Sequence, residues 1–184
     1  MDTAQPEQSL CLLAAAAAGG DRRAAQELVG VTQTPLWRLC AHMVDRQSAE
    51  DLVQETYLRA WPRLASLSGD SNVRAWLAAI AYRVCADELR YRQRHRRRRD
   101  RLGSQVLAAS GPQPAAGDHL FVDDILGGLE PQRRAAFVLT QILGYSYDQA
   151  AIACGVPTGT IRSRVARARA DLAAEVGKRA VGAD

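Results

Sequence analysis

Long hydrophobic runs are missing from these 184 residues. The longest near the start, residues 10–18, has no basic leader and falls well short of the ~20 residues needed to span a bilayer, so neither membrane insertion nor secretion is expected. Cysteine is sparse as well. Cys11, Cys40, Cys85 and Cys154 stand far apart, with no C-x-x-C pair and no histidine at zinc-ligand spacing, which excludes a disulfide framework and a structural zinc site. The four are expected as small buried hydrophobes in a reducing cytoplasm. Aromatics make up only 5%, and β-branched runs bounded by turn residues are scarce. With Ala and Leu dominating the apolar set, that favours helices over sheet. The three histidines, His42, His95 and His119, are scattered, and no glycine-rich loop follows a strand. No catalytic constellation, metal or cofactor is therefore expected.

What the chain does have is positive charge in one place. Lys and Arg total 24 against 20 Asp and Glu, a net charge of +4, yet residues 91–101 alone hold seven arginines, one histidine and one aspartate. Lys178 is the one lysine. Arginine in such excess suits bidentate contacts to phosphates and base edges, and it equally follows from a GC-rich coding sequence. At 47% hydrophobic and 24% charged, the composition is that of a soluble globular chain, long enough for one ordinary domain or two very small ones.

Periodicity divides the chain into helices. Residues 7–18 read as an alanine-rich helix stopped by Gly19-Gly20, and Asp21 caps a second running towards Val29. A third is expected from Thr34-Pro35, with Leu36, Leu39, Cys40, Met43 and Val44 at helical spacing. Ser48 and Asp51 form an S-x-x-D capping box for a fourth, whose apolar face is Leu52, Val53, Tyr57, Leu58 and Trp61. Residues 63–72 read as a loop. A fifth helix carries Trp76, Leu77, Ile80, Ala81, Val84 and Leu89 and runs straight into the arginine block. Trp37, Trp61 and Trp76 are all expected in the core. Residues 101–118 lose periodicity and read as a flexible linker, about 23 Å long when relaxed and about 60 Å at full stretch. Short helices over 120–129, 131–143 and 146–153 then precede a longer one over 158–176. The expected fold is all-α, with helical domains at 1–100 and 119–184 joined by a linker at 101–118.

Three segments carry chemistry. In YSYDQAAIACGVPTGTIRSRVARARADL, a short helix with small residues at Ala150 and Ala151 meets a tight turn at Cys154-Gly155-Val156 and then a basic helix, the spacing of a helix-turn-helix. Val156, Ile161 and Val165 plug the angle between its helices, leaving Arg162, Ser163, Arg164, Arg167 and Arg169 facing mostly outward. In SAEDLVQETYLRAW, Glu50, Asp51, Gln54 and Glu55 share a polar face. Such a ridge is either solvated, answering the helix dipole, or a docking surface. In RAWLAAIAYRVCADELRYRQRHRRRR, Arg83, Arg90, Arg92 and Arg94 interleave with Tyr82 and Tyr91, a pattern suited to phosphate contacts and base stacking or to a disordered basic tail. A simple repressor would explain the helix-turn-helix but leave the acidic ridge, the loop and the first domain idle.

DLVQETYLRAW, then WLAAIA followed by Asp87 and Arg90, then GTIRSRVARARADL, in this order and across nearly the whole chain, resemble the two-domain sigma factors of the bacterial extracytoplasmic-function (ECF) group. The resemblance implies a sigma factor that binds RNA polymerase core and directs initiation at chosen promoters. Its first domain would bind the β′ clamp helices and the minus-10 element, and its second the β flap and the minus-35 element. Asp51, Gln54 and Glu55 match the polymerase-facing positions. Ser68, Gly69, Asp70, Ser71 and Asn72 fall in the loop where the family holds a flipped base, and Arg83 and Arg90 complete the minus-10 set. Arg83 stands where the family often has Asn, and Leu67 where it often has Phe. Thr158, Thr160, Arg162, Ser163, Arg164 and Arg167 match positions at the minus-35 groove and its phosphates. An anti-sigma factor is a further partner that the resemblance allows.

Overall fold

The computed structural model describes residues 4–67, 72–101 and 118–181, and every element among them is helical. Helices α1 (Ala4–Ala18), α2 (Arg22–Met43), α3 (Ala49–Ala60) and α4 (Val73–Arg101) form the first half. The second consists of α5 (Asp118–Gly127), α6 (Pro131–Phe137), α7 (Tyr147–Cys154) and α8 (Thr158–Val181). A 3-10 segment, Trp61–Ser66, extends α3, and a π segment, Val138–Ile142, extends α6. The hydroxyl of Thr140 donates to the Ala136 carbonyl at 2.7 Å, and the Leu143 N–H reaches back to Val138. That side-chain competition for a backbone acceptor accompanies the wider turn. No helix among the described residues is long and apolar enough to cross a membrane.

Two expectations about the first half are corrected. The second and third helices are one 22-residue helix with Pro35 inside it. A mid-helix proline costs about 3 kcal/mol. Here Leu28, Thr32, Leu36, Leu39 and Met43 lie on one buried face across the proline, and burial of that face holds the helix together. The S-x-x-D capping box is absent: the Ser48 side chain makes no cap bond and instead accepts from Arg92 Nη2 at 2.6 Å, while the Ser48 N–H is taken by Asp45 Oδ1 at 2.8 Å. Asp21 does cap α2, accepting from the N–H groups of Arg23 and Ala24. Glu7 of α1 accepts from the Arg74 N–H at the start of α4, and burial raises its carboxyl despite that bond and the Arg74 charge.

The cysteines divide. Cys40 and Cys85 are fully buried, as expected, and their thiols meet between α2 and α4, whereas Cys11 and Cys154 are only half-buried.

The two halves pack directly on one another, with one continuous hydrophobic core running from Leu39 and Met43 in α2 to Leu126, Leu129 and Leu139 in the second half. The most extensive packing between them sets α7 against α4. Polar contacts reinforce it. His42 Nδ1 and Asp123 Oδ1 are 2.8 Å apart, and buried Arg134 donates to the carbonyls of Met43, Gly127 and Leu129. Tyr145 sits beside Arg74 and Glu7 of the first half, and burial pushes its hydroxyl up to about 12.

Candidate polymerase and nucleic-acid interface

The acidic ridge forms because α3 buries Leu52, Val53, Thr56 and Ala60 along one side. Asp51 and Gln54 are exposed and Glu55 half-buried on the other. Two residues expected in the core stand out there instead: Leu58 is 67% exposed and Trp61 38%. Helical spacing groups Asp51, Gln54, Leu58 and Trp61 into a single stripe, with Leu58 near its centre. Sequence periodicity missed this because Leu58 and Trp61 lie at the margin of the apolar arc. Trp61 is held by stacking on Tyr57, ring centroids 6.1 Å apart, and the Tyr57 hydroxyl is 2.8 Å from Thr32 Oγ1.

From this ridge an ion chain leads to α4. Arg59 donates to Glu55 at 2.7 Å and to Asp87 at 3.0 Å, and Asp87 accepts from Arg90 at 2.6 Å. Arg59, with burial opposing and Arg90 assisting, holds the Asp87 carboxyl below the usual carboxylate range.

The minus-10 candidates are placed unevenly. Ser68, Gly69, Asp70 and Ser71 lie outside the described residues. Asn72 is half-buried and caps α4, its Oδ1 accepting from the Ala75 N–H at 2.8 Å. Arg83 and Arg90 are exposed. Seven residues apart, they lie on one stripe of α4. Leu67 is half-buried and packs against the core.

The helix-turn-helix is present as spaced. Ser146 and Gln149 make a reciprocal capping box for α7, and Gly155 ends it at φ +65°, where an added Cβ would meet open space but the backbone angle itself disfavours other residues. Ala150, Ala151, Ile161 and Val165 are buried between the helices. Thr158 donates to Asp148 at 2.7 Å, tying the two helices together, and the Ser163 hydroxyl donates to the Thr160 carbonyl. Arg164 is held by Gln132 and Arg169 by Gln141, while Arg162 and Arg167 are exposed with no polar partner among the described residues. In the packed arrangement α7 lies against α4, and burial raises both the nearby Tyr82 hydroxyl and the Cys154 thiol, the latter to about 11.

Family comparison matches both halves. Residues 28–95 fit "Sigma-70 region 2" and residues 122–172 fit "Sigma-70, region 4". The ECF RNA polymerase sigma factor SigC of Mycobacterium tuberculosis is 42% identical over 175 residues, 94% of each chain. The RNA polymerase sigma factor CnrH of Cupriavidus metallidurans is 32% identical, covering 92% of this chain and 95% of its own. Among solved structures, CnrH in complex with the cytosolic domain of CnrY superposes with a TM-score of 0.72 at 29% identity, over 92% of this chain and 98% of that one. The sigma factor RpoE bound to the anti-sigma factor NepR, from Bartonella quintana, gives 0.66 at 34% identity, over 80% and 92%.

Proposed function

Because this chain belongs to the ECF group of sigma-70 factors, which bind RNA polymerase core and direct promoter-specific initiation, we propose that its two halves divide that work at the residues described above. The first half, 1–100, docks on polymerase through Asp51, Gln54 and Glu55, with Leu58 as the apolar centre of the patch, and meets the minus-10 element through α4 and residues 68–72 before it. The second half, 119–184, meets the minus-35 element through the start of α8 and the polymerase flap through its other helices. The observation that carries this division is the pair of arginines Arg162 and Arg167, exposed and without a polar partner among the described residues on a helix-turn-helix whose neighbouring arginines are already held. The action is binding rather than catalysis, and its place is the cytoplasm.

The two promoter elements lie more than one helical turn of DNA apart, beyond ~35 Å. Halves packed α7 on α4 cannot reach both at once, so promoter engagement separates them. The solved neighbour in complex with the anti-sigma factor NepR supports an anti-sigma partner for this chain as well. The test is transcription in vitro with purified core polymerase. Promoter-specific transcripts should require both core and this protein. Tight promoter binding by the protein alone, with weak binding to core, would instead favour a repressor.

A further inference from the structure

Beyond its packed portion, α4 continues as an arm. Arg92 is its last anchored residue, bonding Asp45 at 2.5 Å, Glu88 at 2.6 Å and Ser48. From Gln93 to Arg99 every residue is exposed. Arg94, Arg96, Arg97, Arg98 and Arg99 have no acid or hydrogen-bond partner among the described residues, whereas Arg59, Arg90, Arg92, Arg133 and Arg179 are all paired. Like charges three and four residues apart on a helix repel, so an unpartnered arginine helix is stabilised by any anion track laid against it. The region 2 match ends at residue 95, leaving four of these five arginines beyond it.

The register of the helix indicates which anion. Arg83, Arg90, Arg94 and Arg97 recur at spacings that keep them within one narrow stripe. They span 14 residues, about 21 Å, or roughly six base pairs of duplex. The arm therefore prolongs the face that carries Arg83 and Arg90, and it leads into the segment joining the minus-35-reading half. We propose that this arm grips the phosphate backbone of the duplex between the two promoter elements, without reading its sequence. The proposal rests on the assignment of α4 to minus-10 DNA.

The test uses holoenzyme assembled from core polymerase and the full chain, with promoter duplexes carrying both elements. The variant R94Q/R97Q keeps helix propensity, and circular dichroism and core binding check that it folds. Its promoter affinity should fall for every sequence alike, and the slope of log affinity against log salt should become shallower by about 2, close to 0.9 for each phosphate that is no longer neutralised. The minus-10 base preference should stay as it was. Methylphosphonate substitution confined to the intervening duplex should abolish the difference between wild type and variant. An unchanged salt slope, a difference that survives the neutral backbone, or cross-linking of the arm to transcript rather than to duplex would overturn the proposal. Arg83→Ala and Arg90→Ala test the underlying assignment separately: if neither alters minus-10 preference, that assignment fails and the placement of the arm fails with it, whereas an altered preference together with an unchanged salt slope in the arm variant overturns the arm alone.

Discussion

Arg134 Nη1 donates to the Met43 carbonyl at 3.0 Å, joining α6 to the last turn of α2 across 91 residues of sequence. Burial pulls the guanidinium's pKa down, with Glu130 only partly opposing; three carbonyls rather than a carboxylate accept from its Nη1 and Nη2, while its buried Nε has no partner among the described residues. The group is a spacer between the halves and a cap for loop carbonyls at once. Arg134→Ala should lower stability by about 3 kcal/mol, because carbonyls buried around it lose a charged donor. It should also loosen the packing of α7 on α4. A urea midpoint and a small-angle scattering profile both equal to wild type would refute this role.

The acidic ridge yields a graded series. Asp51→Ala removes an exposed carboxylate and should leave folding unchanged. Glu55→Ala also releases Arg59, which keeps Asp87, so its cost to stability stays within the ~0.2–1 kcal/mol of an exposed ion pair. Loss of both carboxylates should weaken binding to polymerase core by ~2–5 kcal/mol, the cost for charged groups that the proposed docking would desolvate. Leu58→Ala should weaken it without altering the salt dependence. Fluorescence anisotropy against purified core measures binding of the double variant and of Leu58→Ala, urea unfolding measures the stability of the two single carboxylate variants, and undiminished binding of the double variant would remove the ridge from the interface.

At the second domain, Arg162→Ala and Ser163→Ala should change which bases are preferred in the minus-35 element, by about 1–3 kcal/mol per base read. Arg167→Ala should weaken all sequences alike, as expected of a phosphate contact nearer the middle of α8. Promoter libraries with a fixed minus-10 element report both. The same minus-35 preference in Arg162→Ala and Ser163→Ala as in wild type would displace the groove-facing edge along the helix.

Acid sensitivity follows from Asp45. Burial would raise its carboxyl, but hydrogen bonds from Arg92 and the Ser48 N–H outweigh burial and hold it below the usual carboxylate range. A depressed carboxylate contributes stability above its unfolded pKa near ~3.9, and that contribution is lost as pH falls through the lower folded value. Asp45→Asn should therefore be slightly less stable than wild type at pH 7, and the gap between the two should narrow at pH 3. Thermal unfolding at both pH values checks it, and parallel curves at constant offset would contradict the linkage.

Much of this was legible in the residues. Alanine and leucine periodicity with few β-branched runs gave an all-α chain, because local spacing determines which face of a helix can be buried. Gly155 between two alanine-lined helices specified the helix-turn-helix, since few other residues take its backbone angle at low cost. Elsewhere local cues misled. Pro35 read as a helix start, though burial on both sides of it carried the helix through. Ser48 read as a cap, though Arg92, 44 residues away, claimed its hydroxyl. Leu58 and Trp61 read as core because an apolar arc has no sharp edge in sequence.

The sequence by itself determined the helices, the order of two regions and the concentration of arginine, all properties of neighbours along the chain. Only the tertiary structure decided which of those arginines are occupied. Arg59, Arg90, Arg92 and Arg134 meet partners or carbonyls, several of them brought near by packing, while Arg94, Arg97, Arg162 and Arg167 meet none among the described residues. The physical reason is that a guanidinium's charge is fixed by its chemistry, but its availability depends on which acceptors the fold brings within about 3 Å of it.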